Sequence, residues 1–424
     1  MSFTKFAATC GMFVFSVSAL AAPARAPAPK PAPATGPVTL QLSHQIDEIQ
    51  AERLEQLVEG FNAKNKDVQV KMVRRAEGDT PKQLNLVTNE EYARFLNNKA
   101  KFTPLSQVMS AAKSPLDASK LSPELRSNLV DKRGQWIALP VAFSTPVLYV
   151  NKKLFRQAGL NPENPPKTWM EAQNTAGKLV EAGNQCAYTV SWPALVMIDN
   201  LSAWHGAEIS DAKGQLNFNG LLQIKHIAMM ATWHKAKYFS YFGRRDEADR
   251  RFMNGECGML VSTSSLFAKL PESEKQNVGV SSLPYHDDIP GAPKNTLAEG
   301  ASLWVAAGLR PAETQGVAKF VNYILGPEVQ VDMTLNEGFL PMTTVARAAA
   351  GSRLMKTDLQ GLQVAYDQLK GRTTAPIVRV SQIEPVRLIV EDELESVWAN
   401  RKPAKEALDV AVQRGNAIVQ AKRK

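Results

Sequence analysis

Short apolar runs alternate with longer segments of helical spacing along the chain from residue 38 onwards. The runs at 38–42, 68–73 and 84–88 predict β-strands, because each is short and rich in aliphatic or β-branched residues. Between the first two runs, residues 47–65 place their apolar side chains close to a helical period, which predicts an amphipathic helix. Strands that alternate with helices indicate an α/β fold.

The alternation continues through the rest of the chain. Apolar runs predict further strands at 147–151, 258–263, 278–283 and 301–307. Caps, prolines and glycines mark the ends of further helices at 152–158, 168–183 and 311–326, and of two that begin at 327 and 403. The helix capped by Thr168 has an apolar stripe made of Trp169, Ala172, Ala176, Leu179 and Val180.

The connection between the second and third predicted strands is unusually short. It spans residues 74–83 and contains Gly78, Asp79 and Pro81. A crossover through a helix needs at least ~10–12 residues. We therefore expect no regular helix in this connection.

The first residues indicate export from the cytoplasm. Lys5 precedes an apolar stretch at 10–20 that is too short to span a bilayer, and small residues at Ala19 and Ala21 suit a signal peptidase. Residues 1–21 are therefore predicted to be a Sec-type signal peptide, with the mature protein in the periplasm. Residues 22–37 are almost entirely Ala and Pro, which predicts an extended spacer. The remaining roughly 385 residues exceed what one core usually supports, which favours two lobes.

Charge and cysteine content restrict the possible partners and the disulfide pattern only slightly. The net charge is +9, and the Lys and Arg residues are scattered rather than arranged as a basic face with interleaved aromatic residues. This pattern does not favour a nucleic-acid partner, whereas a mildly basic protein is compatible with an anionic ligand. Cys186 and Cys257 follow the signal peptide. An oxidising compartment permits a disulfide between them, and two separate buried thiols are the alternative.

The chain carries no recognisable catalytic or metal-binding motif. Its five histidines are scattered, and no HExxH pair, P-loop, G-x-S-x-G or G-x-G-x-x-G motif is present. The acidic run at 391–395 is interpreted as a solvated face near a helix N-terminus rather than as paired catalytic carboxylates. We therefore expect a protein that is not an enzyme and that needs neither a cofactor nor a metal.

Several longer segments carry a specific resemblance. These segments lie at 144–152, 158–160, 165–169, 201–204, 225–229, 239–244, 300–305, 338–341 and 390–398. They are similar to the sn-glycerol-3-phosphate-binding proteins of bacterial ABC importers, in the same order from about residue 38 to the C-terminus.

The resemblance implies a periplasmic-binding-protein-like fold, in which two α/β lobes are joined by three hinge crossovers near residues 143, 284 and 338. The N-terminal lobe is then expected to comprise 38–143 plus 285–338, and the C-terminal lobe 144–284 plus 339–424. A small phosphate ester would bind in the cleft and close it, and the closed form would engage permease subunits in the inner membrane. A monomer is expected.

The resemblance also implies ligand contacts. Arg387 stands where the family has its phosphate-pairing arginine, with a surface ion pair to the acidic run as the alternative. Ser144 matches a hydroxyl contact, and Thr263 or neighbouring Ser264 matches another. Gly300 matches a backbone contact, with an ordinary turn glycine as the alternative.

The aromatic contacts are less uniform. Phe339 replaces a tyrosine of the family, and Trp169 and Trp192 are candidate cleft aromatics, although a tryptophan on a helix stripe is as often part of a core. Ser43 and Thr88 replace a tryptophan and a ligand-binding glutamate of the family. These departures lie on the N-terminal side of the cleft, where lost contacts would weaken binding or change the ligand.

The resulting functional hypothesis is the binding component of an ABC importer for sn-glycerol-3-phosphate or a glycerophosphodiester. The alternatives are a paralogue that keeps the fold but acts as a sensor or partner-binding module, and a carrier of another polar solute such as a sugar.

Overall fold

The computed structural model describes residues 36–421 apart from 47, 77, 127–128, 132, 212, 355–361 and 370–382. The predicted signal peptide at 1–21 and most of the predicted spacer lie outside the described residues. Within the described part of the chain, no helix combines the length and the apolar character that a membrane span requires.

Two β-sheets organise the molecule. The strands are β1 Val38–His44, β2 Val68–Arg74, β3 Leu84–Val87, β4 Phe102–Thr103, β5 Leu139–Ser144, β6 Pro146–Asn151, β7 Cys186–Val190, β8 Phe239–Ser240, β9 Cys257–Thr263, β10 Val278–Ser281 and β11 Glu299–Ala306. In the first sheet the order is β2-β1-β3-β11-β4, with β5 also paired to β11. In the second sheet the order is β10-β6-β9-β7-β8.

Helices cover both sheets. They are α1 Glu48–Lys64, α2 Asn89–Asn97, α3 Leu105–Ala111, α4 Lys152–Gln157, α5 Trp169–Glu181, α6 Leu201–Trp204, α7 Leu221–Lys235, α8 Glu247–Met253, α9 Leu266–Lys269, α10 Glu272–Lys275, α11 Pro311–Ile324, α12 Pro327–Glu337, α13 Thr344–Leu354, α14 Leu362–Asp367, α15 Ile383–Trp398 and α16 Ala404–Ala421. Single turns of 3₁₀-helix lie at Lys99–Lys101 and Pro123–Leu125, and a π-helix at Leu195–Asn200 precedes α6.

The predicted α/β fold is confirmed. Strands β1, β2 and β3 are parallel and are joined through α1 and through the short connection, in which the described residues contain no helix. The second sheet mixes parallel and antiparallel pairs, since β6 runs antiparallel to β9 while β7 runs parallel to it. Thr168 caps α5 with a capping box, as its sequence indicates.

The chain passes between the sheets at places that lie side by side. Thr145 alone separates β5 from β6, and its hydroxyl hydrogen-bonds to Thr296 (2.7 Å) and to the carbonyl oxygen of Leu297 (2.9 Å), just before β11. After α12, the Leu340 N–H donates to the carbonyl oxygen of Phe143 (2.8 Å). These bonds tie the connecting segments into one narrow region, which is the geometry of a hinge.

The segment after α12 contacts the connection that follows α3. Thr343 forms a bridge with Leu121, and the Thr344 N–H donates to the carbonyl oxygen of Lys120 (3.0 Å). The chain then reaches α15, whose Val386 and Ile389 belong to the core of the second sheet.

The acidic run at 391–395 does not form a solvated face, and that prediction is wrong. The run lies in the second half of α15, where Glu391 and Glu393 are each only 4% exposed. Helix α16 packs against α15, and its Arg414 reaches Glu393 (2.9 Å), while Lys402 contacts the same carboxylate (2.6 Å). Helix-to-helix packing therefore buries part of a charged run that local sequence describes as polar surface.

Cys186 and Cys257 form a disulfide. They are directly opposite each other on the parallel strands β7 and β9. Of the two possibilities that the sequence left open, the protein therefore has the bridge.

We expect this disulfide to contribute substantially to stability. It closes a loop with a sequence separation of 71, for which the chain-entropy model gives about 4 kcal/mol. Urea unfolding of the mature protein should therefore shift to lower urea when reductant is present. The double variant Cys186→Ala/Cys257→Ala should unfold early and should not respond to reductant. Identical midpoints for oxidised and reduced wild type would contradict this expectation.

Candidate functional site

A cavity of about 550 Å³ lies between the two sheets. The ends of β5, β9 and β11 contribute to its lining, together with residues of α1, α12 and α15. Ligand sites of α/β proteins lie in crevices of this kind, at the ends of strands and between lobes.

Most of the residues that the resemblance implies line this cavity. They are Ser144, Trp192, Thr263, Gly300, Phe339 and Arg387. They come from both sheets and from α15, so the fold brings together positions that are up to 243 residues apart in sequence (387 − 144).

Trp192 forms one side of the cavity. It lies two residues after the second-sheet strand β7 and has a left-handed backbone conformation, with a φ of 56°. The guanidinium of Arg245 stacks over its ring at 5.1 Å, and the Trp192 N–H donates to the carbonyl oxygen of Arg245 (2.8 Å). A half-buried indole fixed in this way offers a flat apolar surface to a ligand.

Gly300 lines the cavity for a reason that lies in the backbone. A Cβ at this position would come within 1.9 Å of the carbonyl oxygen of Ala142 on the neighbouring strand. The pairing of β11 with β5 also shifts register between Ala301 and Ser302. Close strand contact therefore requires glycine here, whether or not a ligand also approaches.

Ser264 and Trp169 lie outside this cavity. Ser264 is fully buried at the hinge, where its N–H donates to the carbonyl oxygen of Thr145 (2.8 Å) and its hydroxyl oxygen accepts from the Thr145 N–H (3.3 Å). Trp169 packs in the core of the second sheet, with its ring 4.7 Å from His226 and 6.1 Å from Trp233. The helix stripe on which Trp169 was recognised is thus a core stripe.

The two tryptophans give a matched pair of variants. Trp192→Ala should weaken ligand binding at least tenfold, because it removes the aromatic side of the cavity. Trp169→Phe should lower the thermal midpoint but leave ligand affinity within about threefold of wild type, because its side chain belongs to the core. Calorimetric titration and thermal unfolding of both variants test this pair. If Trp169→Phe weakened ligand binding and Trp192→Ala did not, the ligand would not bind in this cavity.

Arg387 is the most highly coordinated side chain at the cavity. Its Nε donates to Asp199 (2.7 Å), and its terminal nitrogens donate to both carboxylate oxygens of Glu299 (2.8 Å each). Further contacts at 2.5 Å join it to Glu384, three residues earlier on α15, and again to Asp199. A guanidinium has five N–H donors. Within the described residues, the guanidinium makes four hydrogen bonds to carboxylates, and all three of its nitrogens take part in them.

The Arg387 cluster joins the two sheets. Glu299 begins β11 of the first sheet, whereas Arg387 lies on α15 and Asp199 lies on the π-helix, both packed with the second. Burial raises the pKa of Asp199 to about 6, even though Arg387 opposes the rise, and the nearby charge of Glu299 adds to it. The cluster therefore holds more negative than positive charge, and Asp199 takes up a proton readily.

A second ion pair also spans the cavity. Arg245, on the side of the second sheet, contacts Glu90 at the start of α2 (2.6 Å). Neighbouring Arg244 is bound by Glu395 (2.5 Å) and Asp392 (3.0 Å) of α15. Lys269 also lines the cavity and makes no salt bridge to any of the described residues.

Glu391 places a buried carboxyl at the same cavity. One of its oxygens accepts from the Ala194 N–H (2.7 Å), and the other has no hydrogen-bond partner among the described residues. Burial raises the pKa of Glu391 to about 8, against the opposing effects of the Ala194 N–H and of Arg244.

Sequence reasoning missed the acidic partners of Arg387. Glu384 precedes Arg387 by three positions on a helix, a spacing that predicts an ion pair. Glu299 immediately precedes the predicted contact Gly300, but nothing local indicates that its carboxylate reaches α15. Asp199 is equally remote in sequence. Among the described residues, no group of His, Cys, Asp and Glu side chains could hold a metal ion.

Comparison with known proteins places the chain in a family. Residues 56–358 match the model of the bacterial extracellular solute-binding protein family. The chain is also 33% identical over 406 residues to the sn-glycerol-3-phosphate-binding periplasmic protein UgpB of Salmonella paratyphi A, which covers 90% of this chain and 92% of that protein. The chain belongs to this family of solute-binding proteins. The resemblance recognised in the sequence is thereby confirmed.

Other relatives agree with this assignment. The UgpB of Pectobacterium atrosepticum is 37% identical over 327 residues, which are 74% of each chain. Among solved structures, UgpB from Mycobacterium tuberculosis in complex with glycerophosphocholine superposes with a TM-score of 0.74 at 19% identity, covering 92% of this chain and all of that one. Maltose-bound T. maritima MalE3 gives 0.73 at 16% identity, over 90% of this chain and all of that one. These structures show the two-lobed fold. Members of the solute-binding family are binding proteins rather than enzymes.

Proposed function

We propose that this protein is the periplasmic binding component of an ABC importer, and that it binds a glycerophosphodiester or sn-glycerol-3-phosphate in the cavity between its sheets. Its curated relatives are named as periplasmic sn-glycerol-3-phosphate-binding proteins. Within this proposal, residues 1–21 are a cleaved signal peptide, and the closed protein docks as a monomer on permease subunits. The lobes are proposed as 38–143 plus 285–338 and 144–284 plus 339–424.

The coordination of Arg387 carries the proposal. Both oxygens of Glu299 meet the guanidinium side by side, which is the geometry in which a phosphate binds an arginine. Glu299 comes from the opposite sheet, so it occupies the place that a ligand phosphate would take between the lobes. A bound phosphate would displace Glu299 and keep Arg387 paired.

The remaining predicted residues suit the rest of such a ligand. Ser144 and Thr263 offer hydroxyl groups at the ends of β5 and β9, and Trp192 and Phe339 offer aromatic faces. Lys269 supplies a further positive charge. A ligand that contacts both sheets favours the closed form, which is the form that a permease would recognise.

Thermal unfolding with a panel of ligands tests this proposal. Glycerophosphocholine or glycerol-3-phosphate at millimolar concentration should raise the midpoint, because a ligand that binds only the folded state stabilises it. Maltose should not. A shift with maltose and none with the phosphate esters would instead support the saccharide alternative.

The competition with Glu299 gives a sharper prediction. Glu299→Gln removes the competing charge and should tighten binding of the phosphate esters about tenfold or more. Glu337→Gln is the matched control, since Glu337 lines the same cavity but pairs with Arg53. It should leave affinity within about threefold of wild type. If Glu299→Gln leaves affinity unchanged while Lys269→Gln abolishes binding, the phosphate does not use Arg387.

A further inference from the structure

The cavity wall formed by the first sheet and its helices carries an aliphatic patch among its polar residues. Its apolar side chains are Ile46, Leu54, Leu57, Leu86, Val141 and Met333. Leu54, Leu57 and Met333 pack against the core of the first sheet but are only partly buried, so each also exposes part of its side chain at the cavity. A polyol ligand would gain nothing from such a wall, because aliphatic side chains offer its hydroxyl groups no hydrogen bonds.

Charged and amide groups on the same wall already have partners. Arg53 pairs with Glu337 across α1 and α12. Asn89 donates to Glu299 (3.1 Å), and Glu90 pairs with Arg245. Arg53, Asn89 and Glu90 are therefore engaged by protein groups rather than freely available to ligand hydroxyls. The aliphatic patch remains as an apolar surface of this wall, beside Gln45, Gln50 and Thr88.

The opposite wall is charged. The second sheet and α15 contribute Arg244, Arg245, Glu384, Arg387 and Glu391, with Trp192 beside them. The two walls thus differ in chemistry, since the aliphatic patch lies on the first wall and the arginines lie mainly on the second.

The volume of the cavity suits a ligand larger than glycerol-3-phosphate alone. Ligand pockets for molecules of drug size usually measure roughly 300–1,000 Å³. The cavity measures about 550 Å³, which leaves room for a short hydrocarbon chain beside a polar head. Burial of such a chain against aliphatic side chains is favourable.

We propose that the ligand is an amphiphilic glycerophosphodiester with a single aliphatic chain, of the lysophospholipid type. Its phosphate-bearing head contacts the charged wall at Arg387 and Trp192, and its chain lies along Leu54, Leu57 and Met333. This inference rests on the proposed function, because it assigns the head to the same site. It differs from that function in requiring a chain.

A comparison of two ligands that differ only in the chain tests the inference. Calorimetry of the mature protein would use glycerophosphocholine and 1-hexanoyl-sn-glycero-3-phosphocholine, the latter below its micelle-forming concentration. We expect the hexanoyl ester to bind at least tenfold more tightly, because its methylene groups leave water for the aliphatic wall.

Variants locate the chain. Leu57→Gln and, separately, Met333→Gln should reduce the affinity ratio of the two ligands towards one. Leu221→Gln is the control, since Leu221 is 84% exposed and lies outside the cavity, and it should keep the wild-type ratio. If Leu57→Gln and Met333→Gln both fold and both keep the wild-type affinity ratio of the two ligands, the inference is overturned. This holds even if the hexanoyl chain improves binding to the wild type.

The outcomes separate this inference from the proposed function. If glycerophosphocholine binds and the hexanoyl chain adds nothing, the amphiphilic ligand is excluded while the proposed function stands. If neither ligand binds, both fail. Tight binding of the hexanoyl ester with weak binding of glycerophosphocholine would support the inference most strongly.

Discussion

Arg387→Ala should lower the free energy of unfolding by about 3–5 kcal/mol at neutral pH, which is the usual effect of breaking a buried ion pair by removing one partner. Arg387 is 8% exposed, and its removal leaves the carboxylates of Asp199, Glu299 and Glu384 together without their cation. Urea unfolding monitored by circular dichroism measures the loss. The variant that remains folded should also bind phosphate esters at least tenfold more weakly.

The pH dependence distinguishes charge repulsion from simple loss of packing. Burial raises the pKa of Asp199 to about 6 even with Arg387 present, and loss of the guanidinium raises it further. Protonation as pH falls therefore relieves part of the repulsion in the variant. The loss of unfolding free energy in Arg387→Ala, relative to wild type, should therefore be smaller at pH 5 than at pH 7. Arg53→Ala is the matched control, because Arg53 is more exposed and pairs with Glu337 alone among the described residues. Arg53→Ala should lower the free energy of unfolding by less than about 1 kcal/mol. An unchanged unfolding midpoint for Arg387→Ala would contradict the claim that Arg387 stabilises the buried carboxylates around it.

Glu391→Gln should change how stability depends on pH. Burial raises the pKa of Glu391 from 4.5 to about 8 in the folded protein, so folding favours the protonated carboxyl. In the wild type, Glu391 therefore does not destabilise the fold below pH 4.5. The free energy of unfolding falls as pH rises from 4.5 to 8, and the loss is complete above pH 8. A shift of this size corresponds to a few kcal/mol. The neutral amide removes this dependence.

The quantity to measure is the difference in unfolding free energy between Glu391→Gln and wild type, at two pH values. The unfolding free energy of Glu391→Gln relative to wild type should rise by a few kcal/mol between pH 5 and pH 8.5. Glu393→Gln is a suitable control, because Glu393 is equally buried but pairs with Lys402 and Arg414. That variant should lose stability near neutral pH instead. A constant difference for Glu391→Gln across this range would show that the carboxyl stays ionised.

Local sequence patterns predicted the elements of this fold well, because each element depends mainly on its own residues. The strand predicted at 68–73 is β2, Val68–Arg74, and the helix begun by Thr168 has its predicted cap and core stripe. The pairing of Cys186 with Cys257 was beyond prediction, since it depends on the register of β7 against β9. Burial of Glu391 likewise depends on the packing of α15 and not on its sequence.

The site was only partly predictable for the same reason. The resemblance supplied Arg387, Ser144 and Trp192, which line the cavity. It gave no indication that Glu299 would reach Arg387 from the other sheet, because that contact joins residues 88 positions apart. Electrostatic partners of this kind are set by tertiary structure and are absent from local patterns.

Calorimetric titration of the mature protein with glycerophosphocholine is the most direct test of the central claim, that a phosphate ester binds in the cavity between the two sheets. We predict saturable binding with one ligand per chain, weakened at least tenfold by Trp192→Ala. Absence of heat at millimolar ligand, with glycerol-3-phosphate also silent, would contradict the claim.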